Sequence, residues 1–143
     1  MSAKALRTNL TAERIRRHEA AGEWPAGGLA ELAETRRSAD PHGAYLADGD
    51  VRLTVGDFVD RAQSIAGGLR GLGLGAGDVI TWELPSWWEA AALAVAIDWI
   101  GAVSNPIIPI YREREVGFIA RQAQTRALVV PAGIGLRHHC FPV

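Results

Sequence analysis

The glycine-rich string from Gly71 to Ala76 has the residue types that bind the phosphates of a dinucleotide. It reads GLGLGA and fits the pattern G-x-G-x-x-A. That pattern binds phosphate when a strand precedes it and a helix follows it, because the phosphate then meets the helix N-terminus. Here a helical apolar period precedes the string and a β-rich segment follows it. The reversed order favours a helix-to-strand turn over a cofactor site.

Ser86 and Glu89 could act as a nucleophile and its base. No histidine lies near them in the sequence to complete such an arrangement. The spacing Ser-x-x-Glu is instead typical of a capping box in the first turn of a helix. We therefore predict that these two residues begin a helix and are not catalytic.

Three metal-capable side chains are adjacent near the end of the sequence, at His138, His139 and Cys140. Side chains adjacent in sequence rarely converge on one ion, and no second cluster completes a ligand set. The segment 132–143 has neither helical nor strand periodicity, so we predict an irregular tail without a metal site. The sequence also contains no phosphate loop of the G-x-x-x-x-G-K type, no H-E-x-x-H and no G-x-S-x-G.

Aromatic residues are concentrated in the middle of the chain, where they could line an apolar pocket. We favour core or interface packing, which is the commoner use of such side chains. The residues concerned are Trp82, Trp87, Trp88 and Trp99. The charged run 112–115, which follows Tyr111, is predicted to be the solvated first turn of a helix.

The bulk composition indicates a packed protein without a nucleic-acid or membrane partner. The 143 residues are 48% hydrophobic and 22% charged, with a net charge of -1. A basic run near the N-terminus is interrupted by acidic residues, which favours a solvated helix face over nucleic-acid binding. The longest apolar helical stretch, 87–100, contains two acidic residues and is too short for a transmembrane segment. The single cysteine, Cys140, excludes an internal disulfide and fits a cytoplasmic protein.

Apolar periodicity and turn residues predict a helical lead-in over 1–43 and a β-α-β-α-β unit over 44–131. Asp48-Gly49-Asp50 is predicted to close a hairpin, and Thr54 with Asp57 to cap the helix that follows it. Gly67 and Gly68 within that helix would be explained by close packing against a neighbouring backbone. The predicted helices are 1–22, 29–38, 54–71, 86–100 and 112–124, and the predicted strands are 44–46, 51–53, 79–84 and 127–130, with a short strand beginning at Val103. This alternation predicts an α/β fold with parallel strands joined by right-handed crossovers.

Short motifs follow one another in a specific order from Asp48 to Val130. D-G-D-x-R-L-T precedes a helix ending in G-L-R-G-L-G, then G-D-V-I, L-P-S-W-W-E, a helix ending in G-A-V, N-P-I-I-P-I-Y-R and the strand A-L-V-V. Together they resemble the front of the AMP-forming acyl-CoA synthetases, of the AMP-dependent synthetase and ligase (adenylate-forming) superfamily. The resemblance covers about residues 19–131. It implies a partial parallel-sheet sandwich subdomain, the N-terminal part of the family's large domain.

The resemblance also implies a reaction, cofactors and partners for the full-length family. Its members use ATP and Mg²⁺ to convert a small-molecule carboxylate to an acyl-adenylate, and then transfer the acyl group to coenzyme A, often in fatty acid metabolism. The family's phosphate-gripping loop and catalytic lysine lie further along and have no counterpart here. No catalytic, cofactor-binding or metal-binding residue is therefore carried over, and no cofactor is expected for this chain alone.

We expect an N-terminal portion of such a synthetase that is inactive by itself. The unfamiliar sequence GLRHHCFPV suggests a frameshift or premature stop after about Pro131, a hypothesis that translation of the downstream DNA in other frames tests. The alternative is a non-catalytic α/β module that associates with a partner chain. Self-association through an exposed sheet edge or an uncovered apolar face is expected in that case.

Overall fold

The computed structural model describes residues 10–24 and 27–131, which form a mixed α/β fold. The predicted tail 132–143, with His138, His139 and Cys140, lies outside the described residues, as do residues 1–9 of the first predicted helix. The helices are α1 (Ala12–Ala20), α2 (Leu29–Ala39), α3 (Val55–Gly71), α4 (Trp88–Trp99) and α5 (Glu113–Ala123), and the strands are β1 (Ala44–Asp48), β2 (Val51–Thr54), β3 (Val79–Trp82), β4 (Val103–Pro106) and β5 (Ala127–Val129).

The strands form two separate sheets. β1 and β2 pair as an antiparallel hairpin, and the turn between them contains Gly49 with a φ of 54°. The second sheet has three parallel strands in the order β4-β3-β5, with Val79 opposite Val103 and Ile80 opposite Ala127. This confirms the predicted α/β class and its parallel strands. β3 is shorter than predicted, because it ends at Trp82 and not at residue 84.

Local sequence accounts for α3. The Thr54 hydroxyl accepts a hydrogen bond from the Asp57 backbone N–H at 3.1 Å, and the Asp57 carboxylate accepts one from the Thr54 backbone N–H at 3.1 Å. This is the predicted capping box. Apolar residues then recur every three or four positions and form one buried face, which consists of Val55, Phe58, Val59, Ala62, Ala66 and Leu69.

Helix α4 lies at the centre of the described structure. It packs against α2 and α3 on one side and against strands of both sheets on the other. Its buried residues, which point in nearly every direction around the axis, are Ala90, Ala92, Leu93, Val95, Ala96 and Ile97. Burial of one large apolar side chain such as Ile97 contributes roughly 1.5–3 kcal/mol to folding. α4 therefore joins the core under the parallel sheet to the core under the hairpin.

The N-terminus of α4 is capped differently from the prediction. Ser86 and Glu89 do not form a capping box, because the N-cap residue is Trp87 and its side chain makes no capping bond. The backbone N–H of Trp88 instead donates to the Asp48 carboxylate at 3.0 Å. The hairpin thus supplies from a distance the acceptor that the sequence pattern assigned to Ser86.

A second distant carboxylate holds the lead-in segment. Asp98, near the end of α4, accepts a hydrogen bond from the Ala30 backbone N–H at 2.9 Å, in the first turn of α2. The Gln63 amide of α3 donates to Glu34 of α2 at 2.7 Å. α2 is therefore attached to the same body as residues 44–131, while the proposed domain boundary at residue 43 stays a prediction. Within the described residues no helix is long and apolar enough to cross a membrane.

Two glycine positions show opposite requirements. Gly101 has a φ of +71° after α4, and a Cβ there would lie 3.3 Å from the Ala76 Cβ. It ends the helix as predicted, because few other residues adopt this backbone conformation. The explanation proposed for Gly67 and Gly68 is wrong, because a Cβ at either position would meet no atom within 4 Å. We find no packing reason for these two glycines.

Asp48→Ala is expected to lower the free energy of unfolding by about 1 kcal/mol, as loss of a capping acceptor does. The Trp88 N–H would lose its partner, and the hairpin would lose a bond to α4. Asp50→Ala is the matched control, since this carboxylate lies in the same turn and caps no helix in the structure. Urea unfolding monitored by circular dichroism measures both. Equal losses for the two variants would contradict the capping role.

Alanine at Gly68 and at Gly101 should change stability in opposite directions. Gly68→Ala places a better helix former in open space and should raise the free energy of unfolding by roughly 0.5–1 kcal/mol. Gly101→Ala forces a left-handed backbone on alanine and should lower it by about 1–3 kcal/mol. The same urea titration applies. A shift of the same sign in both variants would show that backbone conformation is not what separates these positions.

Candidate functional site

The carboxyl ends of the parallel strands are where the topology predicts a ligand site. The chain passes from the central strand β3 to β4 on one side, and later returns to β5 on the other side. In open α/β sheets, ligands bind in the crevice that this reversal creates. Glu83 directly follows β3 at this point, and its backbone N–H donates to the Val129 carbonyl at 2.9 Å. Glu83 is therefore a titratable side chain at the position where a ligand would enter.

The surroundings of Glu83 favour its neutral form. Burial raises the pKa of its carboxyl above the ordinary value, and the positive charge of Arg112 opposes that shift. Arg112 itself is the N-cap residue of α5, so the connection from β4 brings a cation to the same end of the sheet. Beside them, the Trp82 Nε1–H donates to the Ser104 hydroxyl at 2.9 Å and joins the ends of β3 and β4.

A cavity of about 500 Å³ opens beside this crevice, between the end of β3, the start of α4 and the hairpin. Its walls include Trp82, Trp87, Trp88 and Leu84, with the exposed Ser86 at the border. This volume and the mostly apolar lining are those of small-molecule sites. Three of the four tryptophans thus line a pocket. The fourth, Trp99, packs against both cores, so each of the two uses considered for these residues occurs.

The polar groups next to the cavity are already engaged. The Asp48 carboxylate caps α4, and the Arg61 guanidinium lies 4.6 Å from the ring centroid of Trp88. Ser86 forms no hydrogen bond with Glu89 or with a histidine of the described residues. The arrangement therefore lacks the base that a serine nucleophile requires.

Carboxylates of the protein occupy the N-terminal turns of four helices. Asp48 and Asp98 cap α4 and α2 across the fold, while Asp57 and Glu115 accept bonds from the N-cap N–H groups of α3 and α5. The Thr54 hydroxyl bond is the main cause of the lowered pKa of Asp57, and the backbone N–H of Glu115 is the main cause of the lowered pKa of that residue. A phosphate bound at these helix ends would have to displace a carboxylate.

The remaining candidate motifs have structural roles. The string from Gly71 to Ala76 is the predicted helix-to-strand turn, with Gly73 at a φ of +78° and the Gly75 N–H bonded to Asp78 at 3.0 Å. The run 112–115 is exposed and includes the first turn of α5, as predicted. The described part of the chain contains no group of three or more His, Cys, Asp or Glu side chains suited to a metal ion.

The sequence motifs missed the roles of Asp48, Asp98 and Glu83. Asp48 was assigned only to a turn, and Asp98 only to the polar part of an apolar helix. The available signal was weak: each is an acidic residue beside an apolar run, and only the fold shows which N–H group it meets. Glu83 could have been found from its place directly after the central strand, once the strand order was known.

Glu83→Gln should change stability in a pH-dependent manner. A raised pKa means that the folded state disfavours the ionised carboxylate, so Glu83 favours folding most below its ordinary pKa of 4.5. This contribution is lost as the pH rises through the raised value. The variant should therefore gain stability relative to the wild type between pH 4 and pH 7, about 3 units across this range. Urea unfolding at both pH values, with Glu19→Gln of α1 as the charge-matched control, measures the difference. An identical pH response of the two variants would contradict it.

Sequence comparison identifies relatives that catalyse ligase reactions. Residues 33–140 match the family model described as AMP-binding enzyme. A 2-hydroxy-7-methoxy-5-methyl-1-naphthoate–CoA ligase from Streptomyces carzinostaticus is 36% identical over 116 residues, which are 80% of this chain and 21% of the ligase. A salicylyl-CoA synthase/salicylate adenylyltransferase from Streptomyces sp is 34% identical over 123 residues, 83% of this chain and 22% of that protein. The chain spans about a fifth of the length of these curated relatives.

Solved structures share the fold. The N-terminal subdomain of Klebsiella oxytoca NpsA, in complex with 3-hydroxybenzoyl-AMSN, aligns with a TM-score of 0.70 at 19% identity, over 76% of this chain and 28% of that one. The fused adenylation-PCP di-domain NpsA-ThdA of the same organism aligns with a TM-score of 0.71 at 19% identity, over 78% of this chain and 22% of that one. The family model covers most of the 143 residues and agrees with the order of motifs, so the chain belongs to the AMP-binding enzyme family.

Proposed function

We propose that this chain supplies the N-terminal part of an ATP-dependent acid–thiol ligase that forms an acyl-adenylate and then an acyl-CoA. The observation that carries the proposal is the family match over residues 33–140, since relatives named as CoA ligases share 34–36% of their aligned residues with this chain. The fold supports it, because the structural neighbours include N-terminal subdomains of an adenylation enzyme.

An aromatic carboxylic acid is the substrate class we favour for the assembled enzyme. The relatives at 36% and 34% identity are named for a naphthoate and a salicylate. A medium-chain fatty-acid–CoA ligase from Escherichia coli (strain K12) is 29% identical over 111 residues. The higher similarity to the aryl ligases therefore favours an aromatic acid over the fatty acid that the motifs alone suggested. Coenzyme A is the proposed acyl acceptor, and the cytoplasm the proposed location.

ATP and Mg²⁺ do not fit the described residues. The helix N-termini that could hold phosphate oxygens contain the protein's own carboxylates, and no carboxylate cluster suited to a cation is present in this part of the chain. No chemical step is therefore assigned to a residue of this chain. Its proposed contribution is structural: the cores around α4 position the crevice at Glu83 and the neighbouring 500 Å³ cavity on one side of the sheet.

Carboxylate-dependent ATP–pyrophosphate exchange is expected from a chimera and not from the chain alone. The chimera replaces the matched 116-residue segment of the Streptomyces carzinostaticus ligase with the corresponding residues of this chain. It should retain measurable exchange with the parent ligase's acid, because the donated segment replaces a scaffold and no assigned catalytic residue. The 143-residue chain should show none, since nothing in it resembles the phosphate loop.

Circular dichroism and thermal unfolding provide the control for this experiment, because they show whether the chimera is folded. A folded chimera without exchange activity would contradict the proposed function. Exchange by the isolated 143-residue chain would instead contradict its purely structural contribution. The parent ligase with Asp48→Ala introduced at the aligned position is not needed, since both outcomes are decided by the chimera and the chain.

A further inference from the structure

Exposed apolar side chains are concentrated in the segment 107–130, which leads from β4 through α5 to the end of β5. Ile108 and Ile110 are more than half exposed in the connection before α5, and Phe118 is 60% exposed on α5. Leu128 and Val130 are 46% and 50% exposed. We call these five side chains the crossover surface. Single exposed apolar residues are ordinary, but five in 23 residues of a small protein indicate an interaction surface.

The geometry of β5 places part of this surface on one face of the sheet. Ala127 and Val129 pack against the core under the parallel sheet, so Leu128, which alternates with them, points to the opposite face. Leu128 is paired with the fully buried Thr81 of β3, whose hydroxyl bonds to Thr125 just after α5. The opposite face is thus covered at the centre of the sheet and open at β5.

Helix α5 leaves this face incompletely covered. It has no buried residue, although it is strongly amphipathic, with Val116 and Ile119 only partly buried. An amphipathic helix gains most of its stability from packing of its apolar face. In α5 that packing is partial, so the helix presents apolar surface that a further layer of structure could bury.

The outer side of β5 is also without a partner strand in the described structure. β5 pairs with β3 alone, and β3 lies between β4 and β5. Its three residues, Ala127–Val129, contain no charge and no proline, the features that usually protect an exposed edge from pairing. The edge can therefore accept another strand.

We infer that the crossover surface and the β5 edge bind the part of an AMP-binding enzyme domain that follows β5 in the same fold. The solved neighbours share the fold of 73–78% of this chain, which is 22–28% of their own length. In those proteins the fold therefore continues into a larger body. A second copy of this chain fits less well, because β5-to-β5 pairing would join only three residues per chain, against about five or six in an ordinary strand. The inference rests on the proposed function.

A binding experiment with a separate polypeptide tests this inference. The probe is the remainder of the Streptomyces carzinostaticus ligase, produced from the residue after its match to this chain. The 143-residue chain should co-elute with it, and hydrogen–deuterium exchange should show new protection in 113–130. Leu128→Arg and Phe118→Arg should each weaken binding about tenfold or more, because the complex would bury an unpaired charge. Leu72→Arg is the control, since Leu72 is 79% exposed at the end of α3.

Each outcome decides the inference. Absence of binding, or binding that both arginine variants leave unchanged, overturns it. Dimerisation of the chain alone that Leu128→Arg abolishes also overturns it, because the surface would then bind a second copy. Circular dichroism of the variants shows that they are folded, as expected for exposed positions. The assay contains no ATP or acid, so its failure is separate from a failure of pyrophosphate exchange in the chimera.

Discussion

The burial of α4 is the constraint on which the rest of the structure depends. This helix has almost no polar face, so it is stable in water only when other elements surround it. α2 and α3 cover one side, and strands of the two sheets approach the other. The two cores meet around it, with Trp99 packed against both. Each neighbouring element is thus positioned relative to a single apolar cylinder.

The two ends of α4 add direction to this packing. Apolar burial is not directional, so it cannot alone determine where the hairpin or α2 attaches. The carboxylate of Asp48 meets the N–H of Trp88 at one end, and the carboxylate of Asp98 meets the N–H of Ala30 near the other. Both bonds join a helix N-terminus to an acidic side chain, an arrangement favoured by the helix dipole. They fix the register of the elements that packing brings together.

These same bonds define what the chain contributes to function. Helix N-termini that could receive phosphate are used for assembly, and the open crevice at Glu83 and the tryptophan-lined cavity remain beside them. The chain is therefore better suited to shaping one wall of an enzyme than to holding a nucleotide. Its family membership, its span of about a fifth of the curated relatives and its open β5 edge agree with that division of labour.

The sequence by itself determined the type and order of the elements and the family. The α3 capping box, the buried face of that helix and the Gly101 stop follow from residues within one or two turns of each other, where spacing reports contact directly. The tertiary structure decided which carboxylate caps α4 and α2, and it placed Glu83 at the sheet's reversal. Asp48 and Trp88 are 40 residues apart, and Ala30 and Asp98 are 68 apart. No local period encodes such pairs, because their meeting depends on how apolar surfaces far apart in the chain are buried together.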